Sequence, residues 1–203
     1  MLPVAVLVSG SGSNLQALLD ASESDPDFGG RIVVVIADRS GIGGLERATR
    51  AGVPAEVVRW GDFVDRESFS VALCDIADRY GAEALILAGF MRILSPVAMD
   101  RYPNRIVNIH PALLPAFPGA HAVPAALAHG VKVSGVTVHF VDDEVDHGPI
   151  IAQRAVPVQA DDTEETLHAR IQIEEHLLFP QVVKALAAGH LRVEGRRVIW
   201  EES

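Results

Sequence analysis

Two side chains with chemistry to offer stand two residues apart in the run Ile106, Val107, Asn108, Ile109, His110, which stops at Pro111. Residues two apart on a strand point to the same face. An amide N–H and an imidazole N–H emerging side by side can both donate to an oxygen on which negative charge develops. A nearby carboxylate would hold the imidazole and favour its charged form. The loop Asp142, Asp143, Glu144, Val145, Asp146, His147, Gly148 supplies several. No serine, threonine or cysteine stands as an obvious covalent nucleophile beside them. The eight histidines form neither a His-x3-His pair on a helix nor a His-Glu-x-x-His motif, so metal binding is a weak alternative. From these residues alone, an oxyanion site, a metal ligand and a core histidine all remain open.

Upstream, Ser9-Gly10-Ser11-Gly12-Ser13-Asn14 follows an apolar run at 3–8 and precedes the helical spacing Leu15, Leu18, Leu19. Strand, glycine loop and helix make a layout that binds anions through backbone N–H groups. The dinucleotide fingerprint needs a third glycine three positions after the second. Leu15 stands there, so the loop fits a monophosphate, and Ser13 and Asn14 add side-chain donors at the helix start. The competing reading is a plain strand-to-helix turn with serine or asparagine as N-cap. Asp38 mimics the ribose-binding acid of nicotinamide enzymes, but without that glycine it reads as a loop or cap aspartate.

These residues need a frame, and apolar periodicity supplies it. Strands are expected at 3–8, 31–38, 54–58, 84–88, 106–110, 133–141 and 149–158. Helices are expected after Asn14, at 43–51, at 65–80, from Ser95-Pro96, at 121–129 and from the capping-box spacing at 162–165, where Asp162 takes the serine position. A terminal hairpin is expected from 191–193 and 197–200 around a turn at 194–196. Strands alternating with helices give one α/β domain with a mostly parallel, twisted sheet flanked by helices. The last long helix carries the stripe Leu167, Ile171, Leu178, Val182, Leu186, and its missing rung is Glu175. A carboxylate on that stripe either meets a ligand's donors or twists out to water. The apolar loop Gly89-Phe90-Met91-Arg92-Ile93-Leu94 either lines a pocket for a flat heterocycle or covers the core. Arg66 falls in a helix's first turn, where a cation opposes the dipole.

Composition narrows the classes. The 203 residues, 49% hydrophobic, with a mean hydropathy of +0.23, fit one globular domain. No apolar run reaches about 18 residues, so no membrane span is expected. The apolar start lacks a basic segment and runs into the glycine loop, unlike a signal peptide. A single cysteine, Cys74, suits the cytoplasm, and the net charge of −10 argues against nucleic acid as partner.

Taken together, Ser9-Gly-Ser-Gly-Ser-Asn-Leu-Gln16, Gly89-Phe-Met-Arg-Ile-Leu-Ser95, Asn108-Ile-His-Pro-Ala-Leu-Leu-Pro115, Phe117-Pro-Gly119 with His121, and Asp146-His-Gly-Pro-Ile150 resemble the glycinamide ribonucleotide transformylases, in order and over nearly the whole chain. The resemblance implies a single Rossmann-like formyltransferase domain over 1–203, with a phosphate-binding half at about 1–100 and a folate-binding, catalytic half at about 101–203. It implies formyl transfer from 10-formyltetrahydrofolate, the co-substrate, to the amine of glycinamide ribonucleotide in purine synthesis, without metal. Asn108, His110 and Asp146 would be catalytic. Gly12, Ser13, Asn14, Gln172, Ile173, Glu174 and Glu175 would hold the ribonucleotide. Arg66, Met91, Arg92, Ile93, Leu94, Asn108 and the loop Asp142, Asp143, Glu144, Val145, Asp146 would surround the folate. A cis bond at Leu114-Pro115 and a monomer or homodimer go with it. His147 stands where some members have glycine.

The alternative is a formyltetrahydrofolate hydrolase, which shares the domain but usually carries an N-terminal regulatory domain and a second histidine where this chain has Pro111. A methionyl-tRNA formyltransferase would need a tRNA-binding extension. A non-catalytic nucleotide-binding module is the reading from another class.

Overall fold

Apolar residues at both parities of the early strands demand cover on both faces of a sheet. The computed structural model, which describes residues 1–201, builds that cover; the expected domain runs to 203, and its last two residues lie outside the described residues. The chain runs β1 (Leu2–Val8), α1 (Ser13–Ser24), β2 (Gly30–Ala37), α2 (Gly43–Arg50), β3 (Ala55–Val57), a 3-10 turn (Trp60–Asp62), α3 (Arg66–Arg79), β4 (Ala84–Leu87), α4 (Pro96–Arg101) and β5 (Ile106–His110). It continues through α5 (Ala122–His129), β6 (Val133–Phe140), β7 (Ile150–Pro157), α6 (Glu164–Ala188), β8 (Leu191–Glu194) and β9 (Arg197–Trp200).

Among the described residues the strands form one sheet in the order β3-β2-β1-β4-β5-β6-β7-β9-β8. From β3 to β5 every pairing is parallel. β6 and β7 then run antiparallel. The strand order reverses between β1 and β4, and α/β folds place ligands outside the strand ends at such a switch point. The loops there are 9–12 and 88–95. They are joined where the Met91 N–H donates to Ser9 Oγ at 2.9 Å.

Period-two alternation sorts the strand residues into two cores. Val4, Val6, Ile86, Val107, Ile109, Val136, Val138 and Phe140 pack with α1 and α6 on one face. Ala5, Leu7, Ile36, Leu85, Leu87 and Ile106 pack with α3 and α4 on the other. The stripe of α6 is buried at every rung, Glu175 included. That helix continues through Pro180, which leaves the His176 carbonyl without its i+4 partner.

The structure moves several expected boundaries. Gly12, at φ 74°, occupies the N-cap of α1, and neither Ser13 nor Asn14 caps it. The capping box at the start of α6 falls one residue later, between Thr163 and Thr166. Asp162 is not the cap because Arg170 takes its two oxygens at 2.7 and 2.9 Å. The third strand shortens to Ala55–Val57. The Leu114-Pro115 bond is cis, as expected.

Candidate active site

The antiparallel switch decides which residues meet. In the β5–β6 register Asn108 faces His139, and His110 faces Thr137. Since Val107, Ile109, Val136 and Val138 turn to the α6 side, Asn108, His110, Thr137 and His139 all turn to the other. Thr137 Oγ1 accepts from the Leu114 N–H at 3.0 Å and donates to the Ala112 carbonyl at 2.7 Å. It thereby pins the proline-rich loop that follows His110.

His110 is buried, and both ring nitrogens face acceptors. Nε2 lies 2.8 Å from the Phe117 carbonyl, and Nδ1 lies 3.3 Å from Asp146 Oδ2. A carbonyl can only accept, so the Nε2 contact is satisfied by an N–H on that nitrogen, while Nδ1 faces the carboxylate at ion-pair distance. Phe117 adopts φ 53°, a left-handed conformation costly for a bulky residue. The same loop sends the Gly119 N–H to Asp146 Oδ2 at 2.7 Å.

Asp146 is the hub, itself left-handed at φ 52°. Its Oδ1 accepts from Asn108 Nδ2 at 3.3 Å and lies 3.6 Å from His139 Nε2. Burial pushes its carboxyl up; the attraction of His139, the Gly119 N–H and the charge of His110 outweigh that and hold it below the usual carboxylate range. His139 directs Nδ1 at the Phe140 carbonyl, 2.7 Å away. Its Nε2 lies 3.1 Å from Asn108 Nδ2, beside the Asp146 carboxylate. Gly148 lets the loop turn back beneath β6, because a Cβ there would sit 1.9 Å from the Phe140 carbonyl oxygen.

This cluster forms the floor of a cleft of about 330 Å³, walled by Leu87, Phe90, Leu94, Val141 and Val145. Met91 and Ile93 line it while 62% and 51% exposed. Among the expected folate residues, Met91, Arg92, Ile93, Leu94, Asn108, Asp142, Glu144, Val145 and Asp146 line the cleft. Arg66 and Asp143 do not; both are exposed outside it. The Arg92 guanidinium is turned to Asp38 at 2.8 Å, over the Trp60 ring. Asp38 stands in the loop after β2, as expected, but it is not solvated. It is buried, and although burial pushes its carboxyl up, the hydrogen bonds of Arg39 and Arg92 hold it low.

The glycine loop opens α1 on the β1 side of the switch point. Asn14 Nδ2 donates to Glu175 Oε2 at 2.9 Å, so the carboxylate that breaks the α6 stripe is met by protein rather than by water. Asn14 Oδ1 is buried without a partner. Ile173 points to solvent at 61% exposure, Glu174 pairs with Arg154 at 3.6 Å, and Gln172 is half-buried. Of that group only Glu175 bonds the loop's helix.

Sequence reasoning passed over Ser9, His139, the Phe117 carbonyl and the Gly119 N–H. His139 had a signal: Thr137 and His139 repeat, on β6, the two-residue spacing of Asn108 and His110. The backbone groups had none, because a carbonyl's direction depends on local torsions that residue type does not encode.

Comparisons with known proteins converge on one family. The formyl transferase family model matches residues 2–183. The chain is similar to the crystal structure of glycinamide ribonucleotide transformylase 1 from Symbiobacterium toebii, with a TM-score of 0.96 and 49% identity over 100% of this chain and 95% of that one. It is 47% identical to the phosphoribosylglycinamide formyltransferase of Mycobacterium tuberculosis, covering 95% of this chain and 88% of that protein. It is 45% identical to the trifunctional purine biosynthetic protein adenosine-3 of Chironomus tentans over 95% of this chain, but spans only 14% of that relative's length. A formyltetrahydrofolate deformylase from Pseudomonas syringae shares the fold at a TM-score of 0.91 and 26% identity, with 66% of its chain covered. With β1 to β7 and the cleft falling inside the matched span, the chain belongs to the formyl transferase family.

Proposed function

We infer that the chain transfers a formyl group from 10-formyltetrahydrofolate to the amine of glycinamide ribonucleotide, giving formylglycinamide ribonucleotide and tetrahydrofolate. The observation that carries this reading is the convergence of Asn108 Nδ2 and His110 Nδ1 on the Asp146 carboxylate, each at 3.3 Å, on the floor of an apolar cleft. An amide donor and an imidazole ring gathered around one negative oxygen are suited to a tetrahedral oxyanion.

In this mechanism the amine attacks the formyl carbon. The carbonyl π electrons move to oxygen, where Asn108 and His110 donate. Both contacts with Asp146 are long, so a ligand oxygen can share the two side chains. The attacking nitrogen becomes cationic and must lose a proton, while the folate nitrogen must gain one as it leaves. Asp146, held ionised, relays that proton through water. Leu87, Phe90 and Leu94 flank the pteridine. The glycine loop takes the ribonucleotide phosphate on the backbone N–H groups of Gly12, Ser13 and Asn14, and Glu175 takes donors of the ribose or glycinamide.

The division into a phosphate half and a folate half needs one adjustment: the cleft also draws on 87–94 from the first half. The single cysteine, Cys74, is buried and unpaired, which supports a cytoplasmic setting. Among the described residues no helix is long and apolar enough to cross a membrane. Small-molecule substrates, a monomer or homodimer, and no nucleic acid complete the proposal.

Likeness to a deformylase makes hydrolysis the second reading. Following folate absorbance with and without glycinamide ribonucleotide decides between them. Turnover that requires the ribonucleotide is the expected result. Equal turnover in its absence overturns the transferase reading.

A further inference from the structure

The glycine loop does not hold its shape alone. The Gly44 N–H, at the start of α2, donates to the Gly10 carbonyl at 3.1 Å. Three residues on, Arg47 Nε donates to the Ser11 carbonyl at 2.9 Å. The Arg47 guanidinium is fixed in turn by Nη1, which donates to Gln16 Oε1 at 2.9 Å. α2 and the loop are in close contact: a Cβ on Gly12 would sit 2.6 Å from Gly44 Cα, and one on Gly43 would sit 2.8 Å from the Ser11 carbonyl oxygen.

In a planar trans peptide the C=O and the next residue's N–H point in opposite directions. The Gly10 carbonyl shares its peptide with the Ser11 N–H, and the Ser11 carbonyl shares its peptide with the Gly12 N–H. Drawing both carbonyls onto α2 therefore turns both N–H groups away from α2. The Gly12 carbonyl accepts from the Gln16 N–H at 2.9 Å, which likewise turns the Ser13 N–H out of the helix end. The outcome is that the Ser11 and Gly12 N–H groups face away from α2 and the Ser13 N–H faces out of the α1 end, none of them spent on α2.

We propose that Arg47 is a positioning residue for the ribonucleotide phosphate, acting through the Ser11 carbonyl to aim the loop's N–H groups rather than by touching the phosphate. This rests on the proposed phosphate role of the loop. The guanidinium's Nε and Nη1 are committed to Ser11 and Gln16. Its function is orientation, and α2 is the strut that carries it.

The test compares the wild type with Arg47→Ala, Gln16→Ala and Gly43→Ala in the full chain, measuring kcat and both KM values, with ribose 5-phosphate and ribose as competing probes. Arg47→Ala should raise the ribonucleotide KM roughly tenfold, with kcat within about threefold and the folate KM unchanged, the pattern of lost ground-state binding. Gly43→Ala keeps the Arg47 charge but crowds the Ser11 carbonyl, so it should reproduce the effect. Gln16→Ala should give a smaller shift of the same kind. Ribose 5-phosphate should lose potency in parallel, whereas ribose should be insensitive to the substitutions. If Arg47→Ala alone shifts KM, Arg47 pairs with the phosphate directly and the strut is overturned. If all three variants bind as the wild type does, it is overturned as well. If Arg47→Ala also disturbs folate, Gly43→Ala and Gln16→Ala decide. Failure of ribose 5-phosphate to compete better than ribose in the wild type instead overturns the phosphate reading beneath the proposal.

Discussion

Asp146 accepts from the Asn108 amide and the Gly119 N–H and faces the rings of His110 and His139. A carboxylate so surrounded orients all of them, and in the proposed mechanism it moves a proton besides. Asp146→Asn should lower kcat by about 10²-fold or more where proton transfer depends on the carboxylate; a rate near wild type removes Asp146 from the mechanism. The pH dependence has a definite sign. Because the folded-state carboxyl is held below its ordinary 3.8, its contribution to stability is full above that value and is lost as pH falls through the depressed one. Thermal unfolding of the wild type and Asp146→Asn across the acid range should show their difference shrinking below about pH 4. Asn108 and His110 stood out in the sequence as polar residues two apart in an apolar strand; the crowded acids marked the 142–146 loop, but only the family resemblance singled out Asp146. His139 was hidden because its role depends on strand register, which links residues 31 positions apart.

At the scale of elements, α1 and α6 meet through one polar bond inside an apolar interface. Asn14 gives its N–H to Glu175, but the Asn14 oxygen is left buried and unpartnered. A glutamine side chain offers both an acceptor for that N–H and a donor for that oxygen. Glu175→Gln should therefore stabilise the fold by about 1 kcal/mol, raising Tm by roughly 2–4 °C for a chain of this size. It should also raise the ribonucleotide KM, since a carboxylate acceptor is lost. A lower Tm on differential scanning calorimetry would show that the buried charge is better satisfied than the hydrogen bonds indicate. The elements themselves followed from apolar periodicity: every strand and helix read from the sequence has a counterpart. The misplaced caps have different causes: Gly12 takes the N-cap of α1 in a left-handed conformation with no side-chain cap bond, whereas Asp162 is displaced from the cap of α6 because Arg170 engages it.

For the whole molecule, two cores on opposite faces of one sheet tie local burial to global opening. Cys74 is buried in the α3 core, and burial pushes its thiol up to about 11 against the pull of nearby Arg101. It should resist a thiol-reactive dye in the native protein and become labelled only as urea unfolds the chain, with the unfolding midpoint seen by fluorescence coinciding with the onset of labelling. Fast labelling without urea would mean that α3 opens on its own. The α/β class and the parallel start of the sheet were readable from alternating strands and helices; the antiparallel turn at β6 was not, because no local pattern specifies strand direction. One consequence concerns time rather than space. Asn14 and Glu175 are separated by 161 positions. A chain leaving the ribosome emerges N-terminus first, at about 5–20 residues per second. It therefore displays its glycine loop many seconds before the helix that braces Asn14 exists. β1 to β7 can pair while the ribonucleotide side of the site still lacks its carboxylate, so on this reading the nascent chain can shape a folate cleft before it can bind the acceptor.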